Sequence, residues 1–599
     1  MASVRLVDNI GVGEEVIRKA CKIAMKTHKS PEKQYLSEKL RNSSAVVFSF
    51  PARNWLVNEW FQGSPFGTTK VDVDLDLFSS LKYIGLNEKA TVNDAFLRRF
   101  KAVLDNPKFI NEVEAAVRDG KQVVFTGHSL GGPIAILATI WFLEMYQRSS
   151  PPRAEPICLT FGSPLVGDKI MNHALMRENW SRYFIHFVMR YDIVPRISLS
   201  PLSSIQQQLQ QILNFFNPKS HSYKQEPVQE APVFYETVIR NASSVASYTA
   251  AKMMGSSNLM LETVSNIIEL SPYRPFGTYI FCAGNQKRIM IKNSDAILQL
   301  LFYSSQLSSL VERDSIALRS IKDHLNYVNE LQESSAMQTV TLLDDNHLEK
   351  LPLSSDGVNN EMVCIALNDL GLSSRARLCL RAAEELEKQK KRNQEAIDKK
   401  RGDIETQLKK LEAYKSKCEL NKIGYYDAFK ISRSEDDFKA NIARLELAGI
   451  WDEIVEMLKR YELPDNFEAQ EEWINLGTRY RHISEPLDIA NYYRHLKNED
   501  TGAYMKRGRP RRYQCTQRWR EHAKRMTSPS LESCFWAEVE ELCLKTTTRP
   551  ETEESIMRQI NELKKWIESG EIGKDVLLED STFMKLLKQH SLANMVQNL

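Results

Sequence analysis

The sequence predicts a mostly parallel α/β domain followed by an all-helical domain, and three observations carry that prediction. Apolar, β-branched runs recur through the first half, among them Ser43–Phe50 (SSAVVFSF), Lys121–Thr126 (KQVVFT) and Arg182–Val194 (RYFIHFVMRYDIV). Helical patterns lie between these runs, and strands covered on both faces read as continuous apolar stretches. From about Leu367 onward the composition turns helical and charge-rich, with no strand-rich region.

Taken in order, Ser43–Phe50 and Lys121–Thr126 are buried strands, and the apolar stretch Pro133–Tyr146 is a helix. Arg182–Val194 is the next strand, and Ser271–Cys282 and Arg288–Asn293 are further strands near the end of this domain. The acidic, polar stretch Thr341–Glu361 reads as a linker, which divides the chain into an α/β domain at 1–345, a linker at 346–375 and a helical domain at 376–599. Arg381–Lys417 is a long helix broken at most once, near Gly402. Its one narrow apolar face, formed by Ile397, Ile404, Leu408 and Leu411, suits packing along a single edge. Phe438–Leu463 is amphipathic in the same way, so the second domain is a helical bundle.

Composition excludes several function classes. A chain of 599 residues is too long for one core. Its formal charge of +3 does not by itself point to nucleic acid. The opening stretch MASVRLVDNIGVGEE has no apolar centre, so no secretory signal is expected. The most apolar run, Gly131–Tyr146, falls short of the roughly 20 residues that span a bilayer. Nine cysteines without any CxxC spacing suggest neither a metal site nor a disulfide scaffold. The expected place is a reducing compartment, the cytoplasm and nucleus.

The chemical signal lies in Val123–Gly132, VVFTGHSLGG. Gly127-His128-Ser129-Leu130-Gly131 fits G-x-S-x-G, with an apolar strand before it and an apolar helix after it. The glycines suit a strand-to-helix turn with no room for side chains beside the serine, and the following helix N-terminus favours developing negative charge. This is similar to the nucleophile elbow of the α/β-hydrolase fold, where an acid and then a base follow in the chain. Asp192 in MRYDIVPRI stands where class-3 lipases, which the segment resembles, carry their aspartate. His324 in SIKDHLNYVNEL follows in the right order as the base, with His221 in PKSHSY as a competing candidate. One feature departs from the lipase pattern. The early strand runs into Phe50-Pro51-Ala52 where lipases have a glycine-containing turn that donates to the oxyanion. Proline donates no N–H, and losing one such donor costs ~10²–10³ in rate.

Across nearly its whole length the chain resembles the plant lipase-like immune regulator family. The resemblance is carried by SEPLDIANYYRHLKNEDTGAYMKRGRPRRY (Ser484–Tyr513), with the Glu485-Pro486 pair that names the family's helical EP domain, and by NSDAILQLLFYSSQ (Asn293–Gln306), Tyr425–Lys430 and CFWAEVEEL (Cys534–Leu542). It implies a class-3 lipase-like α/β-hydrolase domain followed by an all-α EP bundle. It also implies a defence signalling role in cytoplasm and nucleus that does not need hydrolysis. Its implied partners are the sister proteins phytoalexin-deficient 4 or senescence-associated gene 101, in mutually exclusive heterodimers. It implies no cofactor and no metal, but an NAD-derived ribosylated nucleotide, made by TIR-domain receptors, as the signalling ligand.

Two stretches take their roles from this resemblance. Met260, Val264, Ile267 and Ile268 fall on one helical stripe. Periodicity alone favours core packing, whereas the resemblance assigns them to a partner's groove. The basic run Lys506–Arg512 (KRGRPRR) is similar to a minor-groove hook, but it is a single copy flanked by aromatic and helical sequence. DNA binding is therefore not expected. The resemblance instead places Phe438, His495, Lys497 and Arg512 in the wall of a nucleotide cavity, where cations suit phosphates and a ring suits a base. The alternative function is an acyl hydrolase (lipase or esterase) that uses Ser129, His324 and Asp192.

Overall fold

Five apolar segments pair side by side to form the parallel centre of the first unit. The computed structural model describes residues 3–589 apart from 42, 53–56, 62–63, 72–76, 148–154, 256–268, 284–286, 307–309, 333–338, 352–361 and 549–552. Nine strands build the main sheet: β1 (Ser3–Arg5), β2 (Leu36–Lys39), β3 (Ala45–Phe50), β4 (Gln122–His128), β5 (Pro156–Phe161), β6 (Phe184–Met189), β7 (Thr278–Cys282), β8 (Arg288–Ile291) and β9 (Thr339–Leu343). Their order across the sheet is β1-β9-β8-β7-β6-β5-β4-β3-β2. From β3 to β7 all neighbours run parallel, while β2 and β8 join antiparallel to this centre. Every residue of β3, β5, β6 and β7 is buried, as expected of strands covered on both faces.

The expected strands are present, with three differences, the first being that of Ser271–Cys282 only β7 (Thr278–Cys282) is extended in the sheet. Arg182–Val194 is extended only over β6, because the chain turns at Arg190–Tyr191, closed by Asp192 N–H on the Met189 carbonyl, and leads into the short helix Val194–Ile197. The strand β5 is not among those expected from sequence; it pairs in register with β4 on one side and β6 on the other. One face of the sheet is covered by α1 (Glu14–His28), which packs on β3 and β4. The fully buried α2 (Gly131–Phe142) packs on β4 and β5. The helices α3 (Leu202–Phe216), α4 (Glu230–Met253) and α5 (Arg313–His324) complete this part of the chain.

The boundary between domains requires a correction. Two compact units divide at Lys388, within α6 (Ser374–Lys399), and the second unit also includes Ile84–Asn87. The stretch 346–375 is no linker over its described residues. Leu348, Leu351, Val363, Leu367 and Leu370 are buried against Phe281, Ile289 and Leu301 of the first unit's core. Polar composition concealed this, because only every third or fourth residue of these short helices faces inward.

From Gln389 onward the regular elements of the second unit are all helices among the described residues. The long charged helix breaks at Lys400 into α6 and α7 (Arg401–Leu420), and Ile397, Ile404, Leu408 and Leu411 are all buried. They are followed by α8 (Tyr425–Ile431), α9 (Glu435–Lys459), α10 (Glu471–Arg494), α11 (Arg511–Lys524) and α12 (Phe535–Thr548). Ser434 and Asp437 form a capping box at the start of α9. Trp451, Trp473 and Trp519 are fully buried at the centre, where Trp451 stacks on Tyr480.

Candidate active site and the helical signature

At the C-terminal end of β4 the chain turns sharply into α2, and Ser129 sits in that turn with φ +55°. The flanking glycines are required by contact. A Cβ on Gly127 would lie 2.1 Å from the Gly131 carbonyl oxygen, and one on Gly131 would lie 2.1 Å from that of Phe50. Ser129 N–H is already committed, donating to the Phe161 carbonyl at 3.0 Å.

Asp192, just past β6, and His324, at the end of α5, meet at the same end of the sheet. His324 Nδ1 lies 2.9 Å and 3.0 Å from the two Asp192 carboxylate oxygens. Tyr327 OH donates to Asp192 Oδ2 at 2.6 Å and Val194 N–H to Oδ1 at 2.9 Å. The fully buried Arg196 guanidinium donates to the Asp192 and Leu301 carbonyls and so holds the turn. The His324 ring packs between His128 and the edge-on ring of Phe216, with centroids 4.5 Å and 4.6 Å away. The competing candidate, His221, is exposed on a turn.

The reacting atoms themselves are not joined. Ser129, Asp192 and His324 each have 0% exposure, and neither Ser129 Oγ nor His324 Nε2 has a hydrogen-bond partner. The end of β3 presents the Phe50 carbonyl and then Pro51 to the elbow, an acceptor and a residue with no N–H. The arrangement thus has a hydrogen-bonded Asp–His pair and a serine in a strand-to-helix turn, enclosed away from solvent.

Sequence reasoning did not find Tyr327, Phe216 or the histidines that surround this pair. Tyr327 follows His324 by three residues, a spacing that suited a search one turn on from the base. His128 Nε2 donates to the His324 carbonyl at 2.7 Å, and His28 Nε2 to the Phe216 carbonyl at 3.1 Å. Burial, with His324 beside it, lowers His28 to about 3 and holds His128 well below its ordinary value; burial also lowers His186 to about 3. These rings fold neutral, whereas in the unfolded chain they take up protons below about pH 6.5. Stability of the first unit is therefore expected to be fully present above pH 6.5 and to fall as pH drops toward 3, by about 1.4 kcal/mol per pH unit for each such histidine. Urea unfolding at pH 7, 6 and 5 checks this, and His186→Leu should make the dependence shallower.

In the second unit, the Glu-Pro pair sits inside α10. Pro486 has no N–H to offer the His482 carbonyl one turn back, and Tyr425 OH donates to that carbonyl at 3.5 Å. The fully buried Glu485 accepts from Arg509 Nε at 2.6 Å and from Ser533 Oγ at 2.6 Å. Arg509, the central arginine of the hook-like stretch, is thus part of the core and does not project toward a groove. Arg512 pairs with Asp452 at 2.9 Å and Asp488 at 2.6 Å, and Arg444 also pairs with Asp488. Phe438 is 63% exposed, and His495 and Lys497 are exposed beyond the end of α10. Among the described residues, no hydrogen bond or ion pair joins any two of these four. Met260, Val264, Ile267 and Ile268 lie outside the described residues.

His482, Glu532 and Glu571 bring ligand atoms within 4.8 Å of one another. Burial alone would raise Glu532, yet His482, Arg481 and Ser530 hold it well below the usual range. With Arg481 and Arg520 already on these carboxylates, the charge a metal would supply is provided by guanidinium groups.

A parallel sheet with a serine elbow and an Asp–His pair at its strand ends, followed by a helical bundle, defines a lipase-like α/β-hydrolase protein with an appended EP domain. Residues 53–201 match the class 3 lipase family, and residues 409–598 match the enhanced disease susceptibility 1 protein EP domain. The chain is 44% identical to protein EDS1L of Arabidopsis thaliana, over 92% of this chain and 92% of that one. It therefore belongs to the enhanced disease susceptibility 1 family. It is 25% identical to Lipase-like PAD4 of the same plant, over 70% of this chain and 64% of that one. It is also 25% identical to the plant's senescence-associated carboxylesterase 101, over 80% and 71%.

Proposed function

We propose that this protein is a non-catalytic signalling scaffold and sensor of plant defence. The lipase-like unit docks a sister lipase-like protein of the phytoalexin-deficient 4 or senescence-associated gene 101 type. The helical unit contributes Phe438, His495, Lys497 and Arg512 to the binding of an NAD-derived ribosylated nucleotide that relays TIR-receptor signals. The protein works in cytoplasm and nucleus, and among the described residues no helix is long and apolar enough to cross a membrane. The observation that carries the non-catalytic reading is the state of the serine. Its Oγ is buried, unpartnered and not bonded to His324 Nε2.

Docking rests on the apolar stripe Met260, Val264, Ile267 and Ile268. Val264→Glu or Ile268→Glu would place a charge in an apolar groove, at a cost of roughly 2 kcal/mol or more. Each is expected to abolish co-purification with a sister protein, while Ser129→Ala leaves it unchanged. Undiminished binding by both charged variants would overturn the assignment.

The Asp192–His324 contact at 2.9 Å favours a second reading, an acyl hydrolase in which His324 takes the Ser129 proton. On that reading a fluorophosphonate labels wild type at Ser129 and spares Ser129→Ala. The scaffold reading expects no labelling of either.

A further inference from the structure

In the helical unit a groove of about 500 Å³ runs between α7 and α9. The ion pairs of Lys417 with Asp436 and of Lys400, just ahead of α7, with Glu453 show that these two helices lie antiparallel. The floor of the groove is Ala413, Tyr414, Ala440 and Ala443, and Ile442, 41% exposed, stands at its α9 edge. The one polar side-chain atom on this floor is already satisfied, since Tyr414 OH donates to the buried Asp437 at 2.6 Å. Whatever lies in the groove therefore meets methyl groups and a ring, and needs an apolar face of its own.

The rim is charged, and mostly with one sign. Lys410 and Lys417, two turns apart on α7, and Lys439 on α9 line it against a single acid, Asp436. Lys417 is engaged with that acid at one end. Lys410 has no ion-pair partner among the described residues. Lys439 meets Glu435 one turn back on its own helix at 2.8 Å, with both side chains more than half exposed, where such a pair is weak and open to exchange. Two ammonium groups, Lys410 and Lys439, thus stand on opposite banks of an apolar floor and are free to meet carboxylates. The groove is open to solvent along its length, for Lys410, Ala413, Lys417, Lys439 and Ile442 are all exposed. Small ligands occupy sites that enclose most of their surface, whereas a rod laid along an open groove buries one whole side. The small side chains on both helices allow a third helix to approach to the roughly 8–10 Å of packed helices. Leu420, 84% exposed, lies one turn beyond Lys417 and extends the apolar track along α7.

We propose that this groove docks an amphipathic helix of another protein, with leucine-sized residues on one side and carboxylates along both flanks. The apolar side lies on Ala413, Tyr414 and Ala443 and against Ile442, and the flanking carboxylates meet Lys410 and Lys439. Charge selects the partner, since a basic helix would face the same two ammonium groups. The groove shares no residue with the stripe assigned to sister-protein docking or with Phe438, His495, Lys497 and Arg512.

The test is fluorescence anisotropy of labelled peptides against the full chain. Three alanine-based peptides of about twenty residues, long enough to populate a helix, are compared. The first has a leucine face flanked by glutamates, the second has lysines in place of the glutamates, and the third is the first in scrambled order. The glutamate peptide is expected to bind saturably with a Kd of about 10 μM, and the other two at least about tenfold more weakly. Ala413→Trp, which fills the floor from an exposed position, should weaken the glutamate peptide about tenfold. Lys410→Glu combined with Lys439→Glu, both on the surface, should reverse the preference between the glutamate and lysine peptides. No saturable binding of the glutamate peptide up to about 1 mM would overturn the proposal. So would equal binding of the lysine or scrambled peptide, unchanged binding by Ala413→Trp, or a preference that the charge-reversed pair leaves as it was.

Discussion

Asp192→Ala is expected to cost the first unit about 3–5 kcal/mol, whereas Ser129→Ala should change its stability by less than about 1 kcal/mol. The contrast follows from what each side chain does in the fold. The Asp192 carboxylate accepts from His324, Tyr327 OH and the Val194 N–H, all in a site without solvent. Removing it strands three buried donors, each worth about 1–3 kcal/mol when left unpaired. Ser129 Oγ has no partner to lose. Native-state hydrogen exchange of the β4 and β6 amides would measure the two effects in the same unit. Equal losses for the two variants would mean that Ser129 Oγ is bonded in solution. A neutral Asp192→Ala would mean that the carboxylate does not hold the core. The expected outcome has a practical consequence: an inactive Asp192 variant reports on folding, and Ser129→Ala is the cleaner probe of chemistry.

Glu485→Ala is expected to destabilise the second unit by about 3–5 kcal/mol, since it breaks a buried ion pair from one side. Arg509 would keep its charge in a site where its nearest remaining partner is Gln517, 2.6 Å from Nη1. Ser533 Oγ would lose its 2.6 Å acceptor as well. Replacing both partners, Glu485→Leu with Arg509→Met, should recover most of the loss, because neither charge is then stranded. Exchange rates of the α10 and α12 amides would show it. A double variant no more stable than Glu485→Ala would locate the stability elsewhere in the contact. The result bears on the basic run Lys506–Arg512, whose central arginine acts as a fastener between α10 and the segment ahead of α11.

Much of this was legible in the sequence, for reasons that can be located. G-x-S-x-G marked the elbow because only glycine tolerates the 2.1 Å approaches at 127 and 131, a purely local demand. The lipase resemblance pointed to Asp192, chain order left His324 and His221 as bases, and the structure brings His324 against Asp192 while His221 stays exposed. Ile397, Ile404, Leu408 and Leu411 announced the buried edge of α6 and α7 through spacing alone. The segment 346–375 was misread because a short helix with one apolar side resembles a linker in composition.

By itself, then, the sequence determined what depends on neighbours along the chain: the strands and helices and the elbow. Only the tertiary structure decided what those residues became. Whether Ser129 reaches His324 and whether Arg509 faces solvent or Glu485 both depend on side chains brought together from distant positions. No local periodicity encodes such meetings, because burial removes water as the alternative partner, and which group takes its place is set by the packing of the whole unit.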